Sequence, residues 1–275
     1  MMAAIKSMPM SGKVGAVLAA CWLFLALFGP WLAPHSANEI VAYDVFEPLG
    51  GDYILGTDYI GRDVFSRILD GTRFTIFIPL LAAALACSVG TLIALYSAVS
   101  HPRTDEIISR FMDALISIPS KIFSLVMIAA FGSSVPILLT ITAISYMPGS
   151  FRIARSLAVN VANLDFVTVA RTRGESRLYL AVKEILPNIL HPMLADFGLR
   201  FVFVVLLLSS LSFLGLGVQP PEADLGSLVR ENLSGLAEGA PAVIVPAIAI
   251  ATITIAVNLV IDSLRGAATY AARGR

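Results

Sequence analysis

Residues 166–188 read FVTVARTRGESRLYLAVKEILPN, and the reading of the whole chain turns on how this stretch is held. It lies in the most basic part of a sequence that otherwise alternates apolar segments with short loops. Phe166, Val169, Ala170 and Arg173 fall at i, i+3, i+4 and i+7, and Leu178, Ala181, Val182, Ile185 and Leu186 continue that spacing, so two short amphipathic helices meet at Gly174. Asp165 stands where an N-cap is expected, with Thr168 in place of the Glu or Gln of a capping box. Gly174 suits a residue of positive φ just past a helix, and Pro187 is expected to end the second helix. Arg171, Arg173, Arg177 and Lys183 are left for solvent, lipid head groups or a partner.

The surrounding composition says where such a stretch must live. With 57% hydrophobic and 14% charged residues, and a mean hydropathy of +0.83, the chain lies far from soluble domains, which are about 45–50% apolar and about 25% charged. It reads as an integral membrane protein. Its 19 basic and 19 acidic residues cancel, so their distribution between loops carries more information than their sum. Cys21 and Cys87 both lie in apolar runs and are expected to be buried thiols, with no disulfide framework.

Six spans follow in order. Residues 1–13 form a short tail with Lys6 and Lys13, and residues 14–32 carry no charge, about the ~20 residues that cross a bilayer. A cleavable signal peptide is the alternative, but its apolar core is shorter, about 7–15 residues, so a retained first span is expected. Residues 33–73 form the longest polar segment, with three arginines against seven acids, and an external side is expected for it. Residues 74–99 make a second span. A third is placed near 114–131 with a kink at Pro119, and a fourth begins at 136–149 and loses its apolar character at Arg152 and Arg155. The loop 152–191 has six basic residues against three acids; spans five and six are expected at 194–216 and 241–261, separated by an acidic loop at 217–239. The tail, 266–275, carries Arg273 and Arg275. Lys/Arg excess marks cytoplasmic loops, which puts both termini and the loop 152–191 inside. The fold expected is all-α, with six transmembrane helices and no soluble domain.

Catalytic and metal motifs are missing: the sequence has no phosphate loop, no H-E-x-x-H pair and no G-x-S-x-G elbow. His35, His101 and His191 lie near loops on different sides of the membrane and read as surface residues, so no metal site is expected. Asp196 and Arg200, four apart, share a helix face at the start of span five. They form either a charged patch lining a pathway or a self-neutralised pair at head-group level, the nearby cytoplasmic end favouring the second. Asp262, with Asn258, poses the same question beside Arg265. A DNA-reading helix-turn-helix is a poor reading of residues 166–188, because a loop tethered to spans at both ends could hardly enter a major groove. A membrane-surface helix pair is a competing reading, and docking of a cytosolic partner the stronger one.

Several separated runs resemble one family. LGTDYIGRDVFSRILDGTRF (55–74), VTVARTRGESRLYLAVKEILPN (167–188), FLGLGVQPPEADLGSL (213–228) and NLVIDSLR (258–265) are similar to the permease subunits of dipeptide, oligopeptide and nickel ABC importers. The resemblance implies a type I importer permease fold with a permease core over 74–265. Its implied partners are a second homologous permease, two cytosolic ATPase subunits and an external solute-binding protein, in a bacterial inner membrane. ATP and Mg2+ would be bound in the ATPases, with no cofactor on this chain. In that family a cytoplasmic EAA motif, then a glycine, then a hydrophobic-Leu-Pro ending forms a coupling helix that docks on the ATPase. Here Thr168, Val169 and Ala170 fall on the EAA positions, Gly174 on the glycine, and Ile185, Leu186 and Pro187 on the ending. Glu and the first Ala are replaced, and Arg173 stands where the family usually has an apolar residue. The external family motif falls on Leu55, Gly56, Thr57, Asp58, Gly61, Arg62, Asp63, Ser66 and Arg67, expected with the loop after Gly217 to face the solute-binding protein. Peptides, or alternatively nickel or a metal chelate, are the implied cargo. A proton-coupled secondary transporter using Asp196 or Asp262, and a non-transporting scaffold, are the readings from other classes.

Overall fold

A computed structural model of the chain describes residues 9–50 and 53–273, with side chains as far as Ser263. Among the described residues the regular structure is helical, apart from two isolated bridges that pair Ile40 with Arg62 and Thr57 with Asp63. The helices are α1 (Met10–Leu32), α2 (Val64–Val99), α3 (Pro102–Ile116), α4 (Ser120–Phe131), α5 (Val135–Ala162), α6 (Asp165–Thr172), α7 (Arg177–Phe213), α8 (Leu225–Glu231) and α9 (Pro241–Arg273). A short 3-10 turn, Leu233–Glu238, precedes α9.

Five of these helices, α1, α2, α5, α7 and α9, are long and apolar enough to cross a membrane, and the bent pair α3–α4 makes a possible sixth. The expected third span at 114–131 is therefore corrected: it is broken, and its two halves meet at 83°. Pro119 is the physical cause. It restricts Ile118 before it to extended backbone and opens α4 as its N-cap, so α3 stops one turn earlier. Charged residues Arg103, Asp105, Glu106, Arg110 and Asp113 then belong to a separate amphipathic helix rather than to the approach of a span. The fourth span is longer than expected. α5 carries Arg152 and Arg155 inside it and ends at Ala162, so the loop placed at 152–191 opens only after that residue.

Pro187 does not end a helix either. α7 runs through it because residues Leu180–Ile185 form a π turn. In regular α geometry the proline ring would strike the carbonyl four residues back and leave it without a donor. The wider turn, closed by the Leu186 N–H on the Ala181 carbonyl, makes room, and Asn188 Nδ2 donates to the Glu184 carbonyl at 2.6 Å.

α2 is the central helix and packs against α1, α5 and α7, while α9 closes the bundle against α1, α7 and α8. Apolar collapse does not order helices within lipid, so close approach through small side chains has to do so. α2 presents Ala82, Ala83, Ala86, Gly90 and Ala94 along one buried face, and α5 answers with Ala154 and Ala158 beside Phe151. At Gly90 a Cβ would lie 2.8 Å from the Met147 carbonyl oxygen and 3.0 Å from the Phe151 nitrogen. Gly90→Val is expected to force α2 and α5 apart at a cost of about 1–3 kcal/mol, seen as a lower thermal midpoint in detergent. An unchanged midpoint would contradict this packing. Cys87 lies buried in the same layer, whereas Cys21 is exposed on the outer face of α1, against the expectation of two buried thiols.

Candidate functional site

The α5–α7 turn is built by backbone chemistry that the sequence only partly announced. α6 ends in a Schellman arrangement: the Glu175 N–H reaches the Ala170 carbonyl at 3.3 Å and the Gly174 N–H the Arg171 carbonyl at 3.1 Å. Gly174 has φ +83° with open space where a Cβ would be, so the conformation alone selects glycine. Asp165 is the first helical residue rather than the cap, which is Leu164, and its carboxylate lies at the positive end of the helix.

The buried face of α6 shares only Ala170 with the set that the spacing picked out. Val167 and Ala170 are buried with Leu180 against Val99 and Val161, at the ends of α2 and α5. Phe166 and Val169 are exposed, with Leu164 beside them, as are Leu178, Tyr179 and Val182 on the start of α7. The seven residues matched to the coupling motif thus divide into two groups. Ala170 and Ile185 are buried and hold the turn to the bundle, and Leu186 is partly buried. Thr168, Val169, Gly174 and Pro187 face outward.

At the other end of α2, 36 residues or about 54 Å away at 1.5 Å per residue, the run 55–67 closes into a charged clamp. Asp58 is fully buried and accepts four hydrogen bonds. Its Oδ1 takes the N–H groups of Ile60 (3.0 Å) and Arg62 (2.9 Å), while Oδ2 takes Arg62 Nε (2.7 Å) and Arg67 Nη1 (2.8 Å). Both arginines also reach Glu231 Oε2, at 3.0 and 2.8 Å. Asn232 Oδ1 accepts the Tyr59 N–H at 3.0 Å, so two segments more than 160 residues apart become one body. Asp63 caps α2 by accepting from the Phe65 and Ser66 N–H groups, and Ser66 Oγ donates to it at 2.5 Å. Thr57 Oγ1 accepts the Glu47 N–H and donates to the Asp44 carbonyl. Gly56 and Gly61 have positive φ, and a Cβ on them would fall 2.0 and 2.2 Å from the carbonyl oxygens of Glu47 and Ala42.

Most of the polar side chains of the family motif are therefore turned inward rather than toward a partner, and Leu55 is partly buried. Glu231 and Asn232 were missed as members of the set. The motif run recognised at 213–228 stops three residues short of Glu231, which counted only as one acid of an acidic loop. α8 carries Glu231 to the clamp from an N-terminus capped by Asp224 and Ser227, with the Leu225 N–H on Thr75 Oγ1. Burial pushes the Asp224 carboxyl above the ordinary aspartate range, opposed by hydrogen bonds from Ser212, Ser227 and Gly226.

Asp196 and Arg200 lie in the bundle, not at its edge. Arg200 Nη2 is 3.1 Å from Asp196 Oδ1, with side chains 13% and 3% exposed, and Cys87 Sγ is 3.8 Å from Asp196 Oδ2. Asp262 is exposed near the end of the described side chains, and Arg265, expected beside it, lies outside them. Asp105 of α3 makes a two-pronged ion pair with Arg155 of α5 and accepts from Ser97 of α2, fixing the elbow to the base of both helices. No group of three or more His, Cys, Asp or Glu side chains able to hold a metal occurs among the described residues.

Such a molecule is a multi-pass helical membrane protein whose two ends are elaborated differently, a polar clamp at one and an apolar turn at the other. Its fold is that of an importer permease. The inward-facing methionine ABC transporter MetNI superposes with a TM-score of 0.56 at 13% identity, covering 72% of this chain and 96% of that one. Residues 90–269 match the family described as binding-protein-dependent transport system inner membrane component, and the chain belongs to that family. It is a permease subunit of an ABC importer. A probable D,D-dipeptide transport system permease of Escherichia coli K12 is 35% identical over 228 residues, 83% of this chain and 76% of that protein. A putative peptide transport system permease of Brucella suis is 32% identical over 255 residues, 93% and 86% of the two chains. The di/tripeptide transport system permease of Pseudomonas aeruginosa is 32% identical over 251 residues, 89% and 83%.

Proposed function

We propose that this chain forms half of a peptide translocation pathway in a bacterial inner membrane, with the α5–α7 turn and both termini on the cytoplasmic side. The second half is a homologous permease. Two ATPase subunits bind ATP and Mg2+ and dock on α6, and an external solute-binding protein delivers cargo at the clamp. The observation that carries this reading is the exposed apolar ridge Leu164, Phe166 and Val169 on a helix anchored to the ends of α2 and α5 through its opposite face. An apolar ridge at an aqueous boundary needs a partner, and one held against two spans transmits a push to both. Beyond the end of α5 the turn still carries Arg171, Arg173, Arg177 and Lys183, which supports the cytoplasmic side, and the names of the relatives support peptides as cargo. The ATPases then drive transport by binding two permease conformations with different affinity.

The test is reconstitution of the chain in liposomes with the second permease, the ATPases and the binding protein. ATP-dependent accumulation of a labelled dipeptide is expected. Accumulation of nickel instead of peptide, or uptake by this chain alone under a proton gradient, would overturn the reading.

A further inference from the structure

We propose that Arg200 is a carboxylate-binding residue inside the pathway, holding the C-terminal carboxylate of the peptide in transit; this rests on the peptide reading above. A cleft of about 790 Å3 runs along α5 between the α3–α4 elbow and α7. Ser145, Tyr146, Gly149, Arg152 and Ser156 line it from α5, and Arg200 from α7. Its lining holds two arginines and no acidic side chain.

Arg200 is engaged on one edge only. Its Nε and Nη2 face Asp196 at 3.4 and 3.1 Å, and Nη1 donates to no atom among the described residues. The guanidinium lies on the backbone of Gly149, where a Cβ would come within 2.7 Å of Nη1. Any larger residue at 149 would take the space the guanidinium occupies. Arg152, one turn along α5, is exposed and has no ion-pair partner among the described residues. Asp196 thus orients Arg200 and offsets its charge, while Arg152 leaves the cleft net positive.

Depth separates this pair from an interfacial anchor. Gly149 is 14 residues into α5 and Arg200 is 13 residues from the end of α7, each about 20 Å along its helix, so both lie well inside their spans rather than at the ends. Ionisable groups at that depth face a pathway, and a guanidinium with free N–H groups is suited to a carboxylate. A C-terminal carboxylate is the one anionic group that every unmodified linear peptide carries, so a site for it tolerates any side chains.

The same carboxylate chemistry could come from an acidic side chain of the second permease, and the experiment separates the two. The complete reconstituted transporter takes up a labelled dipeptide or its C-terminal amide, each at a concentration saturating the solute-binding protein. Arg200→Gln is expected to lower the ratio of initial rates, free acid over amide, at least tenfold, and Arg200→Lys to restore part of it. Because Arg200→Gln leaves Asp196 buried and unpaired, the double variant Asp196→Asn/Arg200→Gln is measured alongside, with the same fall in ratio expected. A wild-type ratio in the double variant overturns the assignment. So does an equal loss for both peptides with loss of the co-purifying second permease, which would give the carboxylate to that subunit. If the wild-type complex accumulates neither peptide, the peptide reading itself has failed.

Discussion

Replacing Asp58 by alanine is expected to lower the thermal midpoint of the purified complex by on the order of 10 °C, and to expose the segment before α2 to protease. Asp58 is fully buried and accepts from two backbone N–H groups and two arginines. Its removal leaves Arg62 and Arg67 sharing Glu231 alone, which is itself partly exposed. Removing one partner of a buried ion pair costs about 3–5 kcal/mol, because the remaining charges keep their desolvation and lose their compensation. For a chain of this size each kcal/mol corresponds to roughly 2–4 °C. Asp58→Asn keeps the shape and one acceptor, so its midpoint should fall between the two. A melt for Asp58→Ala that matches the wild type would mean that the clamp contributes no net stability. Glu231→Gln separates the local from the long-range part, since it leaves the turn around Asp58 intact and loosens only the link to α8.

The clamp is only partly legible in the residues that form it. The run 55–67 was recognisable as a family pattern, but its purpose was not, because the partner that completes it lies 164 residues beyond Arg67. Glu231 sits in an acidic loop whose charge count says nothing about which acid turns inward. Gly174 was legible because its reason is local: a positive φ needs no distant neighbour. The face of α6 was not, since Phe166 and Val169 obey helical spacing as well as Val167 and Ala170 do, and only the position of Val99 and Val161 decides which pair is buried. Arg155 is illegible in composition for a related reason: its charge is satisfied by Asp105 on another helix, so α5 continues past the point where its own apolar run ends. Pro187 misled through a device with no sequence signature, the π turn that absorbs it. Asp196 and Arg200 were legible as a pair, but their depth depended on where α7 begins.

Val169→Asp is expected to reduce ATP-driven uptake by the assembled transporter at least tenfold while leaving the thermal midpoint of the permease within a few degrees. Val169 is half exposed on the ridge of α6, and its side chain is absent from the cluster that anchors the helix, so the fold does not need it apolar. In the proposed complex the same side chain is covered by the ATPase. Full burial of a valine is worth about 1.5–3 kcal/mol, and a carboxylate placed in that interface without a partner adds a desolvation penalty. Each 1.4 kcal/mol is a factor of ten in the docked population. Ala170→Glu reverses the logic: Ala170 is buried against the bundle, so its loss of uptake should come with a lower midpoint. Gly174→Pro gives a third pattern, because proline fixes φ near −65° and removes the N–H that reaches the Arg171 carbonyl, redirecting α6 without altering its ridge. Thr168→Ala distinguishes apolar docking from polar docking. Thr168 occupies the position of the family's acid, and its hydroxyl is turned back toward the Leu164 carbonyl at 3.4 Å. If the ridge carries the contact, this substitution changes uptake less than twofold. Uptake that survives Val169→Asp but collapses with Thr168→Ala would move the coupling from apolar packing to a hydrogen bond at the motif's first position.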